Sequence, residues 1–409
     1  MPILGLGNDL ARSVVQKFRN IYSLAFDGTN DHIQLPASDA LFTGTNITVS
    51  VWFKLADADD TVLFHNQKGA GSSHFAIIAN YVEGGAADGY VGLITWNGSS
   101  HDWLSYDGNV DTSGNWHHVV ATASDGQQKL YLDGSEVDDG SAAFGTNATP
   151  DASHIGSFHG ASRFAGGNIS DVAFWNVVLD SDDVSAIYNS GKPVNLKKAD
   201  SYKTDRTSNL KGWWRMGDSV NDDIFGVSNT HGVVDDASNP GLSTTNLLAS
   251  YPVDDPDGDG NWALASVWEY STDNDGVFVF DDTGGGAINT GSDISIAAGK
   301  AHKLTFKIYT ASGTGATSPI ARMHIAEATT TPWTGTGYQN YAGSASGTLH
   351  TVYFLNPGSE DTTLKFTATN GGSPAGTTFG IGDIKLYAFN GKPGIATNMA
   401  SDDLVKVAP

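Results

Sequence analysis

Cysteine is absent from the 409 residues. No disulfide framework staples this chain, so its cores must hold without one. Glutamate is nearly absent too: Glu83, Glu136, Glu269, Glu327 and Glu360 are its only occurrences, and the rest of the 45 acidic residues are aspartate. Aspartate favours turns and oxygen-ligand sites while glutamate favours helices, so this bias points to short strands joined by tight loops. Positive charge is scarce, with 22 Lys and Arg giving a net charge of −23, and this excludes nucleic-acid binding by a basic surface. The excess acid suits a saline medium or calcium, or simply keeps loops solvated. No apolar run approaches the roughly 18 residues of a membrane span, so no membrane insertion is expected. The first twenty residues lack a basic n-region, a long apolar stretch and a cleavage site, so no secretion signal is expected there.

Glycine, at 49 residues, and a 10% aromatic content are what many short strands with tight turns and real cores require. The most informative stretch runs from His154 to Tyr188. Ile169, Asp171, Ala173 and Trp175 alternate with Ser170, Val172 and Phe174 as a strand; Leu179, Val184, Ile187 and Tyr188 then recur at helical spacing. Ser181 with Asp182 and Asp183 reads as the helix cap and its first-turn acids. Further strands are expected at Val49–Phe53, His74–Ile78 and Tyr90–Ile94, with hairpin turns at Asp125-Gly126 and Asp133-Gly134.

Five segments carry a family resemblance: Phe26-Asp27-Gly28 with Asp31-His32-Ile33, Ile47–Phe53, Asn115–Ala121 with Leu130–Gly134, Gly167–Tyr188, and Leu210–Met216. In this order they resemble laminin G-like (concanavalin A-like) jelly-roll domains, a fold that hosts lectins, hydrolases and structural modules alike. Further on, Ala298–Phe306 and Gly382–Leu386 resemble the strands of a carbohydrate-binding-module type of jelly roll. The expected fold class is therefore all-β, two antiparallel jelly-roll β-sandwich domains in tandem behind a short N-terminal leader. The expected boundaries are a leader at 1–20, the laminin G-like unit at 21–220, a polar linker at 221–245, the second jelly roll at 246–390 and a C-terminal arm at 391–409, docking on a neighbouring subunit.

Catalytic signatures are lacking. The E-x-D-x-E strand of concanavalin A-like glycoside hydrolases does not occur, nor does G-x-S-x-G or H-E-x-x-H, and a non-catalytic protein is expected. Trp96, Trp103 and Tyr106 in one polar segment, and Trp333, Tyr338 and Tyr341 in another, are candidate platforms for stacking sugar faces; the alternative is that they cap a core or an oligomer seam. Asp255, Asp257 and Asp259 fall at alternate positions beside Gly260, so one loop can aim several oxygens at Ca²⁺, unless it is only a solvated interdomain loop. Asp27, Asp31 and Asp171 are weaker metal candidates. Leu10, Val14 and Phe18 line one side of a short basic helix, which either anchors the chain in a larger assembly or packs on the first domain.

The whole arrangement resembles virion proteins of tailed, especially marine, bacteriophages. That resemblance implies a capsid, fibre or tail appendage on the virion surface, contacting other virion proteins, copies of itself as a homo-oligomer, and host-surface glycan. The alternative is a bacterial secreted or surface glycan-binding adhesin.

Overall fold

The computed structural model describes residues 18, 20–36, 45–56, 58–67, 73–97, 99–110, 114–142, 144, 152–218, 231–250, 253, 261–266, 268–280, 286–290, 294–295, 300–310, 321–325, 343–355, 361–362, 364–368, 379–399, 402–406 and 408–409. It is all-β apart from the helix Ser181–Tyr188 and three short 3₁₀ turns among these residues. The first unit is a sandwich of two antiparallel sheets. One sheet runs Ser135–Gly140, Gln127–Leu132, His117–Ser124, Ile47–Leu55, Gly166–Trp175, Ser23–Asp27 and Leu404–Val405, with Leu210–Trp214 also on Gly166–Trp175. The other runs His231–Val234, Gly394–Thr397, His32–Leu35, Ala152–Ile155, Thr61–Gln67, Ser73–Val82, Gly85–Trp96 and His101–Asp107. Alternate residues of both sheets, among them Val49, Val51, Phe53, Phe75, Ile77 and Leu93, meet in one apolar core.

The period-2 pattern of the central strand is interrupted at Asp171, which sits at φ +42° where the pairing with Ile47–Leu55 shifts register. This bulge puts Ile169 in the sandwich core together with Val172 and Phe174, while Ala173 and Trp175 face a second cluster under the helix. The helix begins one residue earlier than the sequence pattern places it. Asp180, not Ser181, is the cap, and its side chain accepts a hydrogen bond from the Asp183 amide at 2.9 Å.

Residues 246–388 build a second unit. Its five-stranded sheet (Trp268–Ser271, Val277–Phe280, Phe379–Ala388, Ala301–Thr310, Thr348–Leu355) and its four-stranded sheet (Trp262–Leu264, Gly286–Thr290, Leu364–Ala368, Ala321–Ile325) enclose a core containing Phe278, Phe306, Phe354, Phe366 and Ile381.

The tandem arrangement is corrected in one respect: the second unit is inserted into the first. His231–Val234, expected within a linker, is an edge strand of the first unit. Gly394–Thr397 and Leu404–Val405, expected in an arm for a neighbouring subunit, pair with His32–Leu35 and Ser23–Asp27 of their own chain. The physical reason is that unpaired strand edges of the first sandwich find main-chain partners here, which a polar composition does not reveal. The insert closes at a neck, where Leu242 bridges Phe389, Ser243 N donates to Ala388 O at 2.8 Å and Asn390 N donates to Gly241 O at 2.9 Å. Beside it Ile395 packs with Ala301, Tyr353, Leu355, Phe389 and Leu242, joining the units through apolar contact.

Asp236, 1% exposed, holds the junction. Its Oδ1 accepts from Trp213 N at 3.0 Å and from the Ser238 amide and hydroxyl at 2.9 and 2.6 Å; its Oδ2 accepts from Lys392 N at 3.0 Å. Asp236→Ala strands these donors in a dry site. It should destabilise the protein by about 2–4 kcal/mol, more than Ser238→Ala, in urea unfolding at pH 7.5.

Candidate functional site

In the second sheet of the first unit both faces are apolar. Phe75, Ile77, Ala79, Val91 and Leu93 point into the sandwich, while Val62, Ala76, Ile78 and Ile94 form a separate cluster on the outer face. Cross-strand register aligns Gln34, His154, His65, Ala76, Ile94 and Trp103 in one row across that outer face. An apolar outer face is explained by what covers it.

Half of it is covered by the loop 156–164. Its winding uses left-handed backbone at Gly156 (φ +80°), His159 (+59°), Gly160 (+66°) and Arg163 (+49°), closed by Phe158 N donating to Ser162 O at 2.8 Å. Phe158 and His159 each lie 4.5 Å, ring to ring, from His65. A side chain at residue 160 would press on the Nε2 atoms of His32 and His154, at 3.0 and 3.3 Å from its Cβ. Four histidines are thus packed together. Burial, then His159 and His154, push His65 down to about 2; burial, then His32 and His159, push His154 down to about 3. Both are neutral at pH 7. Among the described residues no group of three or more His, Asp or Glu side chains is arranged to hold a metal ion.

The other half is covered by Tyr81 and Trp103, which pack on Val62, Ala76, Ile78 and Ile94 and keep part of their own rings exposed. Trp103 and Tyr81 lie 5.7 Å apart at 36°, both half-buried. The Arg163 guanidinium sits 4.2 Å over the Tyr81 ring and 5.7 Å from Phe158, and its Nε is ion-paired with Asp60 Oδ2 at 3.1 Å. Trp96 continues this side at the sheet edge, edge-on to His101 at 4.9 Å. The turn between them is set by Asn97, whose Oδ1 accepts from the Ser99 and Ser100 amides.

Of the residues chosen from sequence, Trp96 and Trp103 share this outer face. Tyr106 does not. It pairs with the core-facing Val91, so it projects from the opposite side of the edge strand, 40% exposed. Trp333, Tyr338 and Tyr341, the calcium candidates Asp255, Asp257 and Asp259, and Leu10 and Val14 lie outside the described residues. Phe18 stacks on Trp213 at 6.0 Å under the Arg215 guanidinium at 4.6 Å. Asp171 is buried and accepts from Trp213 Nε1 at 2.6 Å; burial pushes it up to about 6 against the pull of Arg215. Asp31 accepts from the Asp27 amide at 3.0 Å, and burial with Asp27 and Asp403 nearby pushes it up to about 7. His117 is held by Asp133 at 2.9 Å and His118 stacks on Trp52 at 4.5 Å, both structural roles. Glu136 and Asp138, two residues apart on an edge strand of the first sheet, are engaged by Lys129 Nζ at 2.7 Å and the Ser105 amide at 3.0 Å.

Tyr81, Arg163, Asp60 and Phe158 were missed. The available signal was the second apolar set, Val62, Ile78 and Ile94, which has no place in a strand with one solvated face.

The first unit is thus a two-sheet sandwich with a half-buried aromatic patch and an ion pair on one outer face. Residues 27–185 match the family model for the concanavalin A-like lectin/glucanases superfamily (Laminin_G_3). No curated protein matches the chain. Among solved structures, a native heptameric SAP-like pentraxin from Limulus polyphemus is similar at 21% identity over 41% of this chain and 82% of that one, with a TM-score of 0.33. The CBM40 of Ruminococcus gnavus IT-sialidase bound to α2,3-sialyllactose is similar at 17% identity, over 41% and 97%, with a TM-score of 0.33. Domain 4 of a GH43 extracellular arabinanase from Geobacillus stearothermophilus, in complex with arabinotriose, is similar at 21% identity, over 41% and 76%, with a TM-score of 0.32. No helix among the described residues is long and apolar enough to cross a membrane.

The histidines make stability pH-dependent. Folding lowers the pKa of His32, His65, His118, His154, His159 and His302. Below about pH 6.5 the unfolded chain therefore binds protons that the native state refuses, and stability falls as pH falls. The raised Asp31 and Asp171 act in the opposite sense between about pH 4 and 7, but they are two against six. The urea midpoint should be lower at pH 5 than at pH 7.5. His154→Leu should reduce that difference by the linkage of up to about one proton.

Proposed function

We propose that the chain is a non-catalytic glycan-binding protein that holds sugar on the half-buried aromatic side of this outer face. The observation that carries the reading is the contiguous set Trp103, Tyr81 and Arg163–Asp60: half-buried aromatic rings beside a fixed donor and acceptor. Sugar faces stack on such rings and polar neighbours orient the hydroxyls. The lectin/glucanase family match of residues 27–185 supports it. Glycosidic hydrolysis asks for two carboxylates across the bond. Asp60 is committed to Arg163, and His65 and His154 are neutral and buried under the loop, which favours binding without turnover.

Within this reading the chain serves as a virion appendage of a tailed phage that touches host-surface glycan, together with copies of itself and other virion proteins. The support is the sequence resemblance alone: a short leader, laminin G-like segments and carbohydrate-module-like segments in that order along the chain. A bacterial secreted or surface adhesin fits the same face equally. Mass spectrometry of purified phage particles should find the chain; finding it instead on bacterial envelopes free of particles would favour the adhesin. Calcium at Asp255, Asp257 and Asp259 is carried as part of the proposal, and chelation by EDTA should then weaken binding.

Trp103→Ala should lower affinity at least tenfold on a glycan array or by calorimetry, with little change in melting temperature. Tyr106→Ala, on the opposite face, should bind as wild type. A loss with Tyr106→Ala and none with Trp103→Ala would overturn the placement.

A further inference from the structure

Arg163 is held more tightly than a surface arginine needs to be. Its backbone is in the left-handed region at φ +49°, its carbonyl accepts from Val62 N at 3.2 Å, its Nε is fixed by Asp60 and its plane lies over Tyr81. A non-glycine residue kept at positive φ is costly, and such cost gathers where a side chain must be aimed. The pair is nevertheless open, with the Arg163 and Asp60 side chains 32% and 38% exposed. Among the described residues, neither the guanidinium Nη groups nor the second oxygen of Asp60 has a hydrogen-bond partner. Donor and acceptor therefore stand side by side, the guanidinium against the Tyr81 ring whose neighbour is Trp103.

We propose that the Arg163–Asp60 pair is a specificity subsite for a neutral sugar presenting two adjacent hydroxyls, one accepting from the Arg163 Nη and the other donating to Asp60 Oδ1. The assignment rests on the glycan reading above and adds the ligand class to it. Charge decides between neutral and acidic sugars. The Arg163 charge is already compensated by Asp60, a second acid, Asp59, precedes Asp60 in the chain, and the protein carries −23 overall. A sugar carboxylate or sulfate would have to displace Asp60 and approach against the long-range field of the whole molecule. A vicinal diol meets neither obstacle and uses both open atoms at once, with the ring face left to stack on Trp103.

The test uses the full chain, a panel of neutral gluco-, manno-, galacto- and arabino-oligosaccharides, and polygalacturonate alongside its fully methyl-esterified form, which keeps the hydroxyls and removes the charge. Binding is measured by calorimetry at 50 and 500 mM NaCl. The expected result is binding within the neutral set, little effect of salt, and methyl ester bound no worse than the acid. Arg163→Gln and Asp60→Asn should each weaken binding about tenfold or more, and 2,3-di-O-methylation of the bound sugar should do the same. Arg163→Lys keeps the charge but not the fork and should also weaken it. Its melting temperature, with that of Asp60→Asn, confirms that the fold survives. A preference for polygalacturonate that collapses with salt would overturn the subsite while leaving the glycan reading intact. So would wild-type binding by Arg163→Gln, Arg163→Lys and Asp60→Asn while Trp103→Ala is inactive. No binding to any glycan would overturn both.

Discussion

The buried carboxylate of Asp236 is the interaction on which the architecture turns. Trp213 N, the Ser238 amide and hydroxyl, and Lys392 N all point at one side chain, and these groups come from segments up to about 180 residues apart. Asp236 is 1% exposed, and a buried donor left without a partner costs more than the bond itself returns. With Asp236 present, the strand after the helix, the chain entering the second unit and the chain leaving it are fixed to one point. Trp214 Nε1 donating to Lys392 O at 2.8 Å adds a second tie at the same place. The neck around Leu242 and Phe389 can then be narrow without being loose.

The same sandwich explains where a ligand would sit. A sheet whose two faces are both apolar must bury both, and the second face is only half roofed by loop 156–164. Under the roof the histidines are dry and neutral. Beyond its edge Arg163, the last tightly wound residue of that loop, reaches across to Tyr81, so the structure that closes one half also furnishes the polar group of the other. Side chains mounted on paired strands need little reordering to meet a ligand.

Much of the first unit was legible because its strands are apolar runs of strand length bounded by turn residues: Ile47–Leu55, His117–Ser124 and the Trp213–Trp214 return all fall where the sequence puts them. What escaped was non-local or one residue in size. The bulge at Asp171 breaks a perfect alternation that the letters alone display. Tyr106 was grouped with Trp103 by proximity, although a separation of three in a strand puts two side chains on opposite faces. The four-residue strand Gly394–Thr397 carries too little pattern to announce itself, and its partner Thr397↔His32 lies across nearly the whole chain. Arg163 and Asp60 are about a hundred residues apart, and only the fold makes them a pair.

The insertion has a consequence for how the protein is made. A ribosome delivers Ser23 through Val234 first, yet the edges of both sheets remain unpaired until Gly394–Thr397 and Leu404–Val405 emerge. At typical elongation rates of about 5–20 residues per second, the intervening stretch of roughly 160 residues leaves the first sandwich incomplete for about ten to thirty seconds. During that interval the nascent chain exposes the very edges that invite pairing with another copy on the same message. The second unit, contiguous and complete before its host, can fold while the first is still waiting, and its folding draws residues 242 and 389 together. In synthesis order, the inserted domain acts as the jig on which the outer one is finished.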